Sequence, residues 1–340
     1  AVLSIGGWHD GYRNTISHLV ENVEAPIKGI VGPWIHKYPH IAGPAPAIGF
    51  LQEARRWWDH WLRGKATGVE QDPAYRAYVM DSLKPKRWHP VRPGRWIAEA
   101  EWPAAGITPH ILHFSVNGSL SDTPVRIDEV FCSPQDCGAQ SGEYFPVAFS
   151  DEFPGEQSID DDKSLCFDSP VLDLDWDIVG APIVYFTGNS NKPNGQVAVR
   201  LCDLRPDGTS AHITFGVLNL THRQSHETPK PLVPGKDFEV GFSLDQIAYR
   251  LPAGHRLRVA ISTAYWPFIW PSPEPMTLRL RDGRVELPLR PLAESDEWRF
   301  EAAEGSPAQR GEVMRPPSYA RETAQDPISG KSTTCIDCDF

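Results

Sequence analysis

Proline punctuation limits this chain more than any other feature. Of its 340 residues, 33 are Pro and 27 are Gly, against a usual Pro share of about 5%. Few long helices can be threaded through such punctuation, because Pro lacks an N–H and clashes with the preceding turn. Helix-only architectures are therefore excluded, and a turn-rich, strand-rich chain is expected. The hydrophobic share of 40% and the charged share of 23% are those of folded domains, so wholesale disorder is excluded as well. At about 150 residues per domain, two domains are expected.

The texture changes near Trp102-Pro103. Upstream, short apolar runs at 1–5, 27–31 and 75–80 alternate with helix patterns. Over 15–23, Ile16, Leu19, Val20 and Val23 recur at i, i+3, i+4 and i+7. Over 50–63, Phe50, Ala54, Trp57, Trp58, Trp61 and Leu62 form one stripe, and Gly64 follows where a helix C′ glycine is wanted. Strand, helix, strand, helix, strand predicts βαβ units and a parallel sheet. Downstream come short β-rich runs at 111–116, 184–187, 197–204, 213–220, 237–244, 256–262, 276–281 and 285–289. Most are separated by Gly, Pro, Asn or Asp, which predicts an all-β sandwich. Pro206-Asp207-Gly208 reads as a turn between two of them. Residues 121–175 are expected to be long surface connections.

The net charge of −11 repels polyanions, so no nucleic-acid partner is expected. No apolar run reaches about 18 residues, so no membrane partner is expected either. The six Cys do not make a disulfide-dense scaffold in a chain this long. The first residues, Ala1-Val2-Leu3-Ser4-Ile5, carry no Met and no basic segment and read as a strand entered mid-stride rather than a signal peptide. The expectation is a fragment, with a cytoplasmic location favoured and a homo-oligomer left open.

Two motifs carry chemistry. Gly6-Gly7-Trp8-His9-Asp10-Gly11 puts an Asp just after a strand, at the carboxyl edge where open α/β sheets place their sites. The plainer alternative is a turn Asp capping the helix that begins near Asn14. Gly32-Pro33-Trp34-Ile35-His36 puts an imidazole in the same position after the next strand. Acid, then helix and strand, then His is the back half of a hydrolase triad in the order Ser, acid, His. No Gly-x-Ser-x-Gly elbow occurs, and Ser119 lies in the β-rich part. The front half is therefore expected upstream of this chain.

Other candidates weigh less. His40 is a rival base, expected beside the site or at the surface, and His9 should point away from it. Cys335 and Cys338 have zinc-ligand spacing without a second pair nearby, although Cys132 and Cys137 are a conceivable partner pair. Asp160-Asp161-Asp162 lacks the Gly and distal Glu of a calcium loop and is expected to be a solvated run. His255 should satisfy loop carbonyls at a strand start. Trp266 and Trp270 are expected in core or interface packing rather than a ligand groove. No cofactor and no metal is expected.

The segments Gly7-Trp8-His9-Asp10-Gly11 and Gly32-Pro33-Trp34-Ile35-His36 resemble the acid and histidine segments of the cocaine esterase and X-Pro dipeptidyl-peptidase hydrolases, the CocE/NonD family. Glu53-Ala54-Arg55-Arg56-Trp57-Trp58-Asp59-His60-Trp61-Leu62-Arg63-Gly64 resembles a helix segment of that family. Residues 247–259, with Ala253-Gly254-His255-Arg256, resemble its jelly-roll signature. The resemblance implies an α/β plus all-β fold: residues 1–105 as the C-terminal portion of an α/β-hydrolase domain and 106–340 as a jelly-roll domain. It further implies Asp10 as triad acid, His36 as triad base, and a nucleophile and oxyanion hole upstream. The implied partners are a small ester, amide or peptide substrate and the upstream segment of the same protein. The alternative is a jelly-roll module that binds or builds without chemistry.

Overall fold

A computed structural model describes residues 1–41, 43–147, 153–292, 297–305, 314–316 and 318–339; the side chains of Tyr319, Cys338 and Asp339 lie outside the described set. The first hundred residues form β1 (Val2–Gly7), α1 (Arg13–Asn22), β2 (Ile27–Gly32), α2 (Phe50–Arg63), β3 (Tyr75–Asp81) and β4 (Gly94–Glu99). β1, β2 and β3 run parallel, in register Val2↔Ile27 through Gly7↔Gly32 and Gly29↔Tyr75. β4 closes antiparallel on β3. β3 is buried along nearly its whole length, as a strand covered on both faces requires. Ile16 and Val20 of α1 pack into the same core as Ile30 and Val31. Gly64 ends α2 in the left-handed region, at φ 66°, as its sequence position predicted.

Most of the remainder is antiparallel. Strands Gln196–Leu204, Ser210–Asn219 and Arg256–Ser262 form one neighbourhood, and Thr108–Ser115, Ile183–Ser190, Phe238–Ser243 and Leu278–Arg290 another. Val199, Leu201, Val259, Ile261, Leu278 and Leu280 fill its interior. The turn at 206–208 forms as read, with Gly208 at φ 84° and its N–H donating to the Arg205 carbonyl. The two parts share one ladder. Strand Ile247–Leu251 pairs with β3 in parallel at Tyr249↔Met80 and Arg250↔Asp81, and antiparallel with Trp176–Gly180 on its other side. Ser318–Gln325 and Ser332–Asp339 form a separate hairpin. The fold is thus mostly β with few helices, and among the described residues no helix is long and apolar enough to cross a membrane.

The structure corrects several expectations. The runs at 276–281 and 285–289 belong to one strand, Leu278–Arg290. Asp282-Gly283, between those runs, pairs across to Thr187 and Phe186 beside a register shift at Thr187/Gly188. Asp160 and Asp161 are buried, not solvated. The Asp160 carboxylate accepts from the N–H groups of Gly138 and Gln140, and Asp161 pairs with Arg200 at 2.9 Å and Arg258 at 3.1 Å. Only Asp162 of that run is exposed. The stripe on α2 is largely open: Trp57 is buried, while Trp58, Trp61 and Leu62 are exposed. Trp270 is exposed against Trp266, not in a core. Cys132, Cys137 and Cys335 are free thiols. The Cys338 side chain lies outside the described residues. Among the described residues, no three His, Cys, Asp or Glu side chains gather as a metal site.

Candidate functional site

β1 and β2 end side by side, and two glycines allow the approach. A Cβ on Gly7 would stand 2.0 Å from the Trp34 carbonyl oxygen, and one on Gly32 would meet the Trp34 ring at 2.5 Å. With no side chain there, the chain crosses directly from strand to loop. The Trp8 N–H donates to the Gly32 carbonyl and the His9 N–H to the Trp34 carbonyl, binding the two loops together. The Asp10 N–H then donates to Gly7, and the Arg13 N–H to Asp10, as α1 starts. Asp10 and His36 thereby meet at the carboxyl edge of the parallel strands.

His36 Nδ1 lies 2.8 Å from Asp10 Oδ2. The other Asp10 oxygen accepts from the Tyr12 backbone N–H at 2.9 Å, a local Asx turn that fixes the carboxylate. The turn reading is met and the cap is not: Tyr12 stands at the N-cap of α1 without a side-chain cap bond, and Asp10 fixes the turn before it and holds the imidazole. The Asp10 side chain is 9% exposed and that of His36 is 47% exposed. A carboxylate that accepts from Nδ1 leaves Nε2 as the basic nitrogen. Phe145 packs against the His36 ring at 4.5 Å and Tyr12 at 5.8 Å, and the His36 N–H donates to the Pro146 carbonyl. Phe145 and Pro146 lie 109 and 110 residues further on, and no sequence signal links them to His36.

His36 opens onto an apolar groove of about 620 Å³ lined by Leu3, Ile5, Trp34, Phe50 and Trp58 among others. Among the described residues β1 is the terminal strand of its ladder, and its Leu3 and Ile5 line that groove. His40 stacks on Phe50 at 5.6 Å and is not joined to Asp10. His9 leaves the site and stacks on Phe153. His255 does not satisfy loop carbonyls: its Nδ1 lies 2.6 Å from the buried Asp203 carboxylate, 52 residues away. Ser119 donates its hydroxyl to the Val116 carbonyl.

Residues 67–298 match the X-Pro dipeptidyl-peptidase C-terminal non-catalytic domain, and residues 1–38, which hold Asp10 and His36, match the X-Pro dipeptidyl-peptidase S15 family. The chain belongs to the X-Pro dipeptidyl-peptidase and cocaine esterase family of hydrolases. Cocaine esterase of Rhodococcus sp. is 23% identical over 292 residues, covering 78% of this chain and 49% of that protein. A Mycobacterium bovis protein provisionally named a serine esterase is 25% identical over 338 residues, covering 85% and 50%. An aminopeptidase from a marine sediment Thaumarchaeota archaeon shares the fold, with a TM-score of 0.65 at 16% identity over 84% of this chain and 54% of that one. The chain spans about half the length of the curated relatives it matches.

Proposed function

We propose that this chain supplies the acid and the general base of a serine hydrolase, Asp10 and His36, in a Ser-Asp-His triad whose Ser stands upstream, outside this chain. The observation that carries the reading is the 2.8 Å contact between His36 Nδ1 and Asp10 Oδ2, on an imidazole whose other nitrogen is left for a substrate or a hydroxyl. In the proposed reaction, Nε2 takes the hydroxyl proton as the serine oxygen bonds to the scissile carbonyl carbon. Asp10 stabilises the resulting imidazolium. The proton then passes to the departing alkoxide or amine, and water repeats the sequence to release the acid. No metal or organic cofactor takes part in this reading.

The substrate is an ester, an acyl amide or an X-Pro peptide. The upstream segment lies along the free edge of β1 and over Leu3, Ile5 and Trp58, where it covers apolar surface and brings its hydroxyl to His36. Residues 1–105 complete the hydrolase domain, and 106–340 form a jelly-roll domain. A second reading is supported by the non-catalytic description of the family that matches 67–298: the β-rich part binds or builds without chemistry, and the first hundred residues are only its mount. The two readings separate in one assay. The protein extended to include its upstream segment hydrolyses a chromogenic ester or an X-Pro anilide, and this chain alone does not. Turnover by this chain alone, or none by the extended protein, would overturn the proposal.

A further inference from the structure

A second cavity, of about 70 Å³, lies away from the His36 groove, between the loop after β1 and the β-rich part. Its walls come from three stretches of chain. His9 and Arg13 follow β1, His89 and Arg92 precede β4, and His212 stands on strand Ser210–Asn219. Lys86 adds a further cation, while Glu143, an exposed residue, is the one carboxylate of the lining among the described residues. Arg13 already faces Asp245 at 3.9 Å. Arg92 is only 8% exposed; among the described residues no carboxylate forms a close ion pair with it, and Asp81 attracts it from further away. It donates to the Asp81 carbonyl at 3.2 Å, and its Nε is buried without a partner. A guanidinium does not shed its proton, so this charge stays in place. A buried charge without a close counter-charge is costly.

Two imidazoles face the same problem. His9 Nε2 and His212 Nε2 are both buried without a hydrogen-bond partner. The His9 ring is fixed by stacking on Phe153 at 4.1 Å. Three residues from three chain segments that line one small, cation-lined space thus each carry a nitrogen without a hydrogen-bond partner. We infer that this cavity binds a small oxyanion, with Arg92 supplying the charge and His9 and His212 each supplying a ring N–H. Burial lowers both histidines, and neighbouring arginines, Arg92 for His9 and Arg200 for His212, lower them further. That positive field is what an anion would offset. A cavity of this size holds a few waters or one such anion. The inference does not depend on the hydrolase reading.

Inorganic phosphate is the probe, titrated into the full chain at constant ionic strength against chloride and followed by imidazole nitrogen NMR. Phosphate should move the His9 and His212 signals saturably, and chloride should not. Sulfate and acetate arms separate a tetrahedral oxyanion from a carboxylate. Arg92→Met should weaken phosphate binding at least about tenfold. Phosphate that moves neither signal more than chloride does would overturn the inference, as would a folded Arg92→Met chain that binds phosphate unchanged. Should Arg92→Met fail to fold, the wild-type spectra decide alone.

Discussion

Two of the histidine–carboxylate pairs among the described residues have nearly the same contact and opposite surroundings. At Asp10 and His36 the distance is 2.8 Å, and at Asp203 and His255 it is 2.6 Å. The His36 side chain is 47% exposed and opens onto a groove, whereas that of His255 is 11% exposed. Asp203 is saturated. Besides the imidazole it accepts from the Tyr249 hydroxyl at 2.8 Å and the Ser82 hydroxyl at 2.5 Å. That pair ties the strands at 196–204, 247–251 and 256–262 to the segment after β3. The contact between carboxylate and imidazole is therefore not a catalytic signature in itself. What separates the two is whether the far ring nitrogen reaches a space that a reacting group can enter.

Substitutions can break this contrast, from the largest effect to the smallest. In the extended protein, His36→Ala should lower kcat for ester hydrolysis by about 10⁴- to 10⁶-fold with little change in folding stability. A loss below tenfold would move the base elsewhere. Asp10→Asn should cost about 10⁴-fold, because the amide supports the wrong tautomer; kcat/KM on the same ester reads it. Asp203→Ala should act on the fold. Removing one member of a buried pair costs about 3–5 kcal/mol, seen as a lower denaturation midpoint, while protein that remains folded keeps its turnover. Activity lost without loss of stability would erase the contrast.

The smallest effect concerns pH. Burial first, then Arg200, pushes His212 down to about 3 from its ordinary value of 6.5. Between those values the unfolded chain holds a proton that the folded chain lacks, so stability falls as pH drops below about 6.5. His212→Gln should flatten that slope, measured as urea midpoints above and below about pH 6.5. An unchanged slope would show that His212 is not kept neutral by the fold.

Local signals were legible where the physics is local. Gly6-Gly7 and Gly32-Pro33 mark strand ends, and the residues that follow them, Asp10 and His36, stand where the motif spacing put them. The bounds of α2 and its C′ glycine were legible for the same reason. What was not legible depends on partners far along the chain. Asp160 and Asp161 look like a solvated run until Arg200 and Arg258 arrive from distant strands. His255 looks like a loop residue until Asp203 is placed opposite. β4 and Trp176–Gly180 are strands because β3 and Ile247–Leu251 offer them an edge, and neither has an alternating pattern of its own. Trp58, Trp61 and Leu62 lie on the helix stripe read from the sequence, and the described chain leaves them exposed.

The most direct test of the central claim is covalent labelling of the extended protein by a serine-directed phosphonate, with the adduct mapped by mass spectrometry and its rate compared with that of His36→Ala. The account predicts one adduct, on a serine upstream of this chain, formed orders of magnitude more slowly in the variant. An adduct on a serine within this chain, or equal labelling rates with and without His36, would contradict it.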